Sequence, residues 1–231
     1  MTAAVERPAI GEIKAAIFDM DGLIFNSERI VQRTWQDIGS QLSYQDMGEQ
    51  IYNTIGFNRA RRAEYFNKVY GEDFPYGLFV EKTASRFQEI VDAEGLPVKP
   101  GVRELMTALK ERGIAIGLAT SASGDYAQTS LEEAGLWKFF DGWVFGNMVT
   151  RSKPDPEVYI KACQAVGVSP EEAFALEDAP SGVISACAAG LRVIMVPDLV
   201  QPDEEIRAKA WMVKPSLAEV LAALRETDIL K

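Results

Sequence analysis

An apolar run near the start of the chain ends in Asp19 and Asp21, which are spaced by one residue and followed by Gly22. A short β-branched and aromatic run that stops in this way is typical of a buried parallel strand, whose carboxyl end faces a ligand-binding crevice. Gly22 permits an abrupt turn, so Asp21 can fold back over Asp19 while its backbone carbonyl stays available to a cation. A strand followed by a polar turn is the alternative, and this short motif alone does not exclude it.

Hydroxyl groups follow a later apolar run, where Thr120, Ser121 and Ser123 stand among small residues before a predicted helix. Small residues and free backbone N–H groups at a helix start are what a phosphate-binding loop requires. N-capping of the helix by Ser121 or Ser123 explains the same residues equally well. The segment is therefore a candidate phosphate site with a structural alternative.

A lysine and two adjacent acids complete the set of candidate residues. Lys153 lies just before a helix N-terminus, where a cation opposes the helix dipole unless an anion lies between them. A solvated loop lysine is the alternative. Glu177 and Asp178 end another predicted strand, at the sheet edge that carries Asp19 and Asp21. Because four converging carboxylates repel one another, we expect a bound Mg²⁺, which prefers carboxylate and carbonyl oxygens together with water and substrate phosphate.

The composition excludes several kinds of chemistry. The 231 residues include no histidine, which rules out Ser-His-Asp and Cys-His catalysis, histidine-containing zinc sites and any imidazole acid or base. The formal net charge of −10 argues against nucleic acid or an anionic membrane as a partner, because a phosphate backbone requires clustered cations. A small anionic substrate remains compatible if metal ions and helix N-termini supply local positive charge.

The remaining composition is that of an ordinary globular protein. Cys163 and Cys187 lie in predicted helices among alanines, a pattern typical of small buried apolar residues. No apolar run approaches the roughly 18 residues that span a bilayer, and residues 1–12 lack the features of a signal peptide. We therefore expect a cytoplasmic protein with no membrane partner.

Helix and strand patterns alternate over most of the chain, which predicts an α/β fold with a doubly wound, mainly parallel, Rossmann-like sheet. The predicted strands are Ala15–Phe18, Ile114–Ala119, Gly142–Phe145, Ala173–Leu176 and Arg192–Val196. One predicted helix follows Val102 and stops at Gly113, and the later predicted helices are Asp125–Ala134, Asp155–Val166, Ser181–Ala189 and Leu217–Leu224.

The stretch between the first two strands contains only helical patterns. Predicted helices cover Glu28–Gly39, with Gly39 as C-cap, and then Tyr44–Tyr52, Arg59–Tyr70 and Tyr76–Glu94. This predicts an α-helical cap domain at 29–96, inserted into an α/β core of 1–28 and 97–231. Hinges are expected near Ser27 and Pro97.

Together these segments resemble the haloacid dehalogenase superfamily of phosphotransferases, in the subfamily with a helical cap that includes β-phosphoglucomutase and small sugar-phosphate phosphatases. The resemblance rests on Asp-Met-Asp-Gly-Leu at 19–23 joined to Thr120-Ser121, Lys153-Pro154 and Glu177-Asp178, and it extends over essentially the whole chain. It implies that Asp19 is the nucleophile that forms an aspartyl-phosphate and that Asp21 protonates the leaving alkoxide and later deprotonates water.

The resemblance also assigns the supporting residues. Thr120 would hydrogen-bond the phosphoryl oxygens, Ser121 would contact the substrate, and Lys153 would neutralise charge between phosphate and nucleophile. The implied Mg²⁺ ligands are Asp19, the Asp21 carbonyl and Asp178, with Glu177 assisting. We expect neighbouring carboxylates to raise the pKa of Asp21 and the metal to hold the pKa of Asp19 low.

Cap residues are expected to select the substrate. Asn58 and Arg59 lie in a stretch that resembles the specificity loop of the family, although Arg59 can equally belong to a solvated helix face. Asn26 stands where the family often has an acid. The histidine that mutases of the family carry corresponds here to Val31, which favours hydrolysis over mutase chemistry.

The resulting prediction is a Mg²⁺-dependent monomeric phosphatase that acts on a small phosphorylated metabolite, a sugar or polyol phosphate. The alternatives are a sugar phosphomutase, which would require glucose 1,6-bisphosphate, and a binding module without catalytic activity. The binding module is disfavoured by five polar residues that are costly to bury without a ligand, namely Asp19, Asp21, Thr120, Lys153 and Asp178.

Overall fold

The fold is taken from a computed structural model that describes residues 13–55 and 59–230. Six parallel strands form one sheet in the order β3-β2-β1-β4-β5-β6. The strands are β1 Ala15–Phe18, β2 Ala115–Ala119, β3 Gly142–Val144, β4 Ala173–Glu177, β5 Arg192–Met195 and β6 Met212–Val213. The doubly wound parallel sheet expected from the sequence is confirmed.

The central strand β1 lies between β2 and β4, where the strand order reverses. Phe18 pairs with Leu118 of β2 and with Leu176 of β4, so all three strands end at nearly the same level. The crevice beyond the carboxyl ends of such strands is the usual ligand site of an open α/β sheet. This register delivers the polar residues that follow each strand to one place.

Two apolar layers cover the sheet because successive side chains of a strand point to opposite faces. In β1, Ala16 and Phe18 join one buried cluster, whereas Ala15 and Ile17 join the other. All four side chains are fully buried. This double burial explains why the strand is an uninterrupted apolar run.

Ten helices are present in the described part of the chain. They are α1 Ser27–Gln41, α2 Gln50–Thr54, α3 Arg59–Tyr70, α4 Tyr76–Glu94, α5 Val102–Glu111, α6 Gly124–Glu133, α7 Glu157–Ala165, α8 Pro180–Ala188, α9 Glu204–Lys209 and α10 Leu217–Arg225. None of these helices is both long enough and apolar enough to cross a membrane.

Helices α1 to α4 follow β1 directly and pack around an apolar cluster of their own. Trp35, Phe66 and Phe79 are almost fully buried there, and their rings meet edge to face at centroid distances of 5.4 to 5.8 Å. Such aromatic pairs stabilise a core beyond the area they bury. We call this group of helices the helical insert. Its boundaries as a separate domain, 29–96, stay a prediction.

The structure corrects the first half of the helical insert. Gly39 does not end α1, which continues to Gln41; instead the missing side chain of Gly39 leaves room for Met47. The single helix predicted over Tyr44–Tyr52 is wrong: a 3₁₀ turn, Met47–Glu49, precedes the short α2. The left-handed backbone of Asp46, with a φ of 55°, starts that turn.

Later α-helices and strands differ from their predicted limits only at their ends, apart from one helix and one strand that the sequence pattern did not reveal. Helix α9 and the two-residue strand β6 lie in a stretch for which no element was predicted. Both are too short to show a clear hydrophobic period. Strand β6 extends the sheet at the edge opposite β3.

Candidate active site

The polar residues predicted from three separate segments meet beyond the ends of β1, β2 and β4. Asp19 is 7% exposed, Thr120 1%, Glu177 1% and Asp178 8%. Asp19 and Asp178 both line a cavity of about 710 Å³ that opens between the sheet edge and the helical insert. The concentration of buried acids at one end of a cavity is typical of a functional site.

Lys153 links the nucleophile candidate to the second acidic segment. Its ammonium donates to Asp19 Oδ1 at 2.5 Å, to Glu177 Oε1 at 2.6 Å and to the carbonyl of Ala119 at 3.0 Å. Burial opposes the charge, but the carboxylates of Asp19 and Glu177 raise the pKa of Lys153 above its usual value. Lys153 is therefore a buried cation, and the alternative of a solvated loop lysine is wrong.

Glu157 holds the loop that carries Lys153. Its carboxylate accepts from the backbone N–H groups of Thr150 and Arg151 at 3.0 to 3.1 Å and from the ammonium of Lys161 at 2.6 Å. Lys161 and the two N–H groups lower the pKa of Glu157 to about 2. Sequence reasoning missed this residue, although an acid in the first turn of α7 is a recognisable signal.

Three carboxylates are placed where they could share a cation. Asp19, Glu177 and Asp178 each offer an oxygen, and these oxygens lie within 4.8 Å of one another. Gly22, with a φ of 80°, lets the chain pass close to Asp178, since a Cβ at that position would clash with the Asp178 carboxylate. Clustered buried carboxylates at this spacing are the oxygen donor set that Mg²⁺ prefers, so the residues fit that ion.

Burial and a bound cation act on the pKa values of these acids in opposite directions. It raises the pKa of Asp19, with Lys153 opposing the shift, and together with Asp19 it raises the pKa of Asp178. A divalent cation reverses this by favouring the ionised carboxylates. Lys153 therefore neutralises the negative charge of these acids only in part, which is consistent with a site for a cation.

Tyr159 is a further residue of the site that the sequence analysis did not identify. It is fully buried in α7, and its hydroxyl donates to Glu177 Oε1, the same oxygen that accepts from Lys153. Gly182 allows this arrangement, because a Cβ there would clash with the Glu177 carboxylate. The only sequence signal was an aromatic residue six positions after the lysine, which by itself predicts a core position.

Asp21 lies beside Asp19 and has a different environment. It is half-buried, lines the cavity and accepts a hydrogen bond from the hydroxyl of Tyr126 at 3.2 Å. Burial raises its pKa, whereas the hydroxyls of Ser27 and Tyr126 oppose the shift. The expected direction is confirmed, but the expected cause is wrong: burial, and not the neighbouring carboxylates, raises this pKa.

The loop after β2 presents hydroxyl and backbone groups to the cavity. Thr120 and Ser121 both line it. Ser123 takes the N-cap position of α6 without a side-chain hydrogen bond to the helix, and Ser121 lies outside the cap. N-capping therefore does not account for these hydroxyls. Gly146 lets a neighbouring loop approach, because a Cβ there would clash with the carbonyl of Ser121.

The turn between Asp21 and α1 is held by a lysine that follows the helical insert in the sequence. Lys99, which follows the second predicted hinge, donates to the carbonyl of Gly22 and pairs with Asp198 at 2.8 Å. Leu199, the next residue, packs against the apolar cluster of the helical insert. The segment after β5 is thus linked through Lys99 to the turn between Asp21 and α1, and it also contacts the helical insert.

The helical insert supplies the opposite wall of the cavity, which is largely apolar. Its half-buried contributors are Val31, Ile55, Tyr76, Val80 and Phe87. Three threonines in this wall, Thr34, Thr54 and Thr83, each donate to a carbonyl in their own helix.

Two charged residues, Glu28 and Arg62, also line this part of the cavity. Of the residues predicted to select the substrate, Asn58 lies outside the described residues. Arg59 begins α3, and its side chain is likewise outside the description.

The chain is similar to known hydrolases and phosphatases. The family model described as haloacid dehalogenase-like hydrolase matches residues 16–196. Hexitol phosphatase B of Escherichia coli is 32% identical over 192 residues, covering 80% of this chain and 84% of that protein. A phosphorylated carbohydrates phosphatase of Thermotoga maritima is 30% identical over 222 residues, covering 93% and 99%.

Solved structures extend the likeness to the fold. The crystal structure of an HAD family hydrolase from Deinococcus radiodurans R1, with bound phosphate and sodium, has a TM-score of 0.78 and 26% identity. The match covers 95% of this chain and 98% of that one. Since the family model spans all four polar segments, the chain belongs to the haloacid dehalogenase-like hydrolases.

Proposed function

We propose that this protein is a Mg²⁺-dependent phosphomonoester hydrolase that acts through an aspartyl-phosphate at Asp19. The observation that carries the proposal is the buried triangle of Asp19, Lys153 and Glu177, which faces a cavity large enough for a small phosphorylated metabolite. Cavities of about 300 to 1,000 Å³ are typical of small-molecule sites. The phosphatases among the relatives support the same class of reaction.

Asp19, Glu177 and Asp178, with the carbonyl of Asp21, would hold the ion, which would screen the negative charge of the phosphoryl group. Lys153 adds a fixed positive charge at Asp19 Oδ1. A carboxylate is a weak nucleophile toward a dianion, so attack depends on this preorganised charge. Thr120 and Ser121 would orient the phosphoryl oxygens from the loop after β2.

The reaction then proceeds in two displacements. A carboxylate oxygen of Asp19 forms a bond to phosphorus while the ester P–O bond breaks, and Asp21 gives its proton to the leaving alkoxide. In the second step Asp21 takes a proton from water, whose oxygen attacks phosphorus and releases phosphate from Asp19. A raised pKa suits Asp21 to this work, because the acid form must be available first.

We further propose that the helical insert acts as a cap that covers the site and selects the alcohol half of the substrate, a sugar or polyol phosphate. Its separate apolar cluster and its share of the cavity wall support this role. Closure of such a cap excludes bulk water until the ester is bound. A cytoplasmic monomer remains our prediction.

A sugar phosphomutase is the second candidate. In that reaction phosphorylated Asp19 would return its phosphoryl group to the substrate. Val31 lines the cavity where mutases of the family are expected to carry a histidine, and an apolar side chain there offers no proton acceptor. This observation favours hydrolysis.

The test is release of phosphate from a panel of sugar and polyol phosphates with Mg²⁺, with EDTA and with Asp19→Asn. Release that requires both the metal and Asp19 supports the proposal. A requirement for glucose 1,6-bisphosphate would identify the mutase instead. Folded protein that releases no phosphate from any ester would overturn the hydrolase assignment.

A further inference from the structure

We propose that Tyr159 is a positioning residue that fixes Glu177 so that one carboxylate oxygen faces Lys153 and the other is left for the cation. The inference rests on the proposed function, because it concerns the same metal site. Tyr159 does not line the cavity and is fully buried behind Glu177. It can therefore act on the reaction only through the groups that it contacts.

The main chain of Glu177 is fixed independently of Tyr159, so the tyrosine acts on the side chain. It is 1% exposed, at the end of β4, and its backbone carbonyl accepts from the N–H of Val196 at 2.7 Å. In the described part of the chain its side chain accepts from two groups, the ammonium of Lys153 and the hydroxyl of Tyr159, both at Oε1. Among the described residues no hydrogen-bond donor contacts Oε2, and Glu177 belongs to the group of acids that can share a cation.

Tyr159 also contacts the lysine itself. The ammonium of Lys153 lies 5.0 Å from the centroid of the Tyr159 ring, a distance at which a cation is attracted by an aromatic face. The ammonium has three oxygen acceptors, on Asp19, Glu177 and Ala119. One tyrosine thus touches both members of the Lys153–Glu177 pair, with its hydroxyl on the acid and its ring on the base.

Loss of the Tyr159 hydroxyl should weaken Mg²⁺ binding. Without it, Glu177 Oε1 retains only Lys153 as a donor, and the carboxylate can rotate within its pocket. Hydrogen-bonding partners of metal ligands typically contribute 10- to 100-fold in metal affinity or activity. We therefore expect Tyr159→Phe to raise the Mg²⁺ Kd about tenfold and to lower kcat about tenfold, with KM for the substrate changing less than about threefold.

The primary measurement is calorimetric titration of wild type and Tyr159→Phe with Mg²⁺ alone, without substrate. Tyr70→Phe is the matched control, because the hydroxyl of Tyr70 donates to the carbonyl of Gln45 in the helical insert and Tyr70 does not line the cavity. Removing its hydroxyl should leave the Mg²⁺ Kd within about twofold. A folded Tyr159→Phe with the Mg²⁺ affinity and kcat of wild type would overturn the inference.

A double-mutant cycle tests whether Tyr159 acts through Glu177. If it does, Tyr159→Phe should weaken Mg²⁺ binding in wild type and have almost no further effect in Glu177→Gln. Effects that multiply in the double variant would overturn the inference. Should Tyr159→Phe not fold, the Mg²⁺ affinity of Glu177→Gln tests the inference. An unchanged affinity would show that Glu177 does not contribute to Mg²⁺ binding, and Tyr159 would then have no metal ligand to position.

The two proposals can fail separately. If Mg²⁺ does not bind the wild-type protein, both the metal-dependent hydrolase and the role of Tyr159 are wrong. If Mg²⁺ binds and phosphate is released while Tyr159→Phe matches wild type, only the role of Tyr159 is wrong.

Discussion

The two walls of the cavity are built differently. On the sheet side, charged groups are buried and paired, as Lys153 is with Asp19 and Glu177. On the side of the helical insert, apolar side chains predominate, and threonines such as Thr83 direct their hydroxyls to their own helix. The first wall is suited to a charged phosphoryl group, and the second to the neutral part of an ester. Under the proposed function, chemistry and substrate choice lie on separate parts of the chain.

The largest effect should follow removal of the proposed nucleophile. Asp19→Asn replaces an attacking carboxylate with a neutral amide, so we expect phosphate release from every ester to fall by about 10⁴-fold or more. The matched control is Asp125→Asn, because Asp125 is an exposed residue of α6 and does not line the cavity. Activity of Asp19→Asn near the wild-type level would show that the sheet wall does not carry the chemistry.

Lys153→Met should have the next largest effect. Loss of one preorganised charge at a phosphoryl site costs about 10²- to 10³-fold in kcat. It also leaves the carboxylates of Asp19 and Glu177 without their shared cation, so thermal stability should fall. Lys138→Met, at an exposed position, is the control. A decrease in kcat smaller than about threefold would contradict the role of this lysine.

A substitution in the insert should change the ranking of substrates instead of abolishing activity. Val80→Asn places a polar group in the apolar wall, and we expect it to change the ratio of kcat/KM between a ring sugar phosphate and an open-chain polyol phosphate by about tenfold. The Mg²⁺ Kd should not change. Leu78→Asn is the control, because Leu78 lies on the same helix, is 43% exposed and does not line the cavity. Equal ratios in all three proteins would remove the distinction between the two walls.

The smallest effect concerns the support of the lysine loop. The pKa of Glu157 is lowered to about 2 from its ordinary value of 4.5, so its ionised form stabilises the folded state above about pH 4.5. That contribution is lost as the pH falls through about 2. The Tm measured in thermal melts should therefore fall less between pH 5 and pH 2 in Glu157→Gln than in wild type. An equal fall of Tm with pH in the two proteins would contradict this interpretation. Glu133→Gln, at an exposed position of α6, is the control.

Much of the fold was predictable because its signals are local. Each core strand is a short apolar run, and each neighbouring helix has its own period and end residues, so α3 and α4 match their predicted limits. The errors fell where a tertiary contact overrides a local signal. Gly39 is a plausible helix end by residue type, but its role is to admit Met47.

The candidate site shows the same division. The sequence alone determined which residues carry charge or hydroxyl groups and that Asp19, Thr120 and Asp178 follow parallel strands, because strand ends and turns are local features. Only the tertiary structure decided how these groups pair. Packing of α7 against the sheet brings Tyr159 to Glu177 and Glu157 to the loop that carries Lys153, and burial raises the pKa of Asp21. Neither packing nor burial can be read from spacing along the chain, because both depend on residues that are distant in sequence.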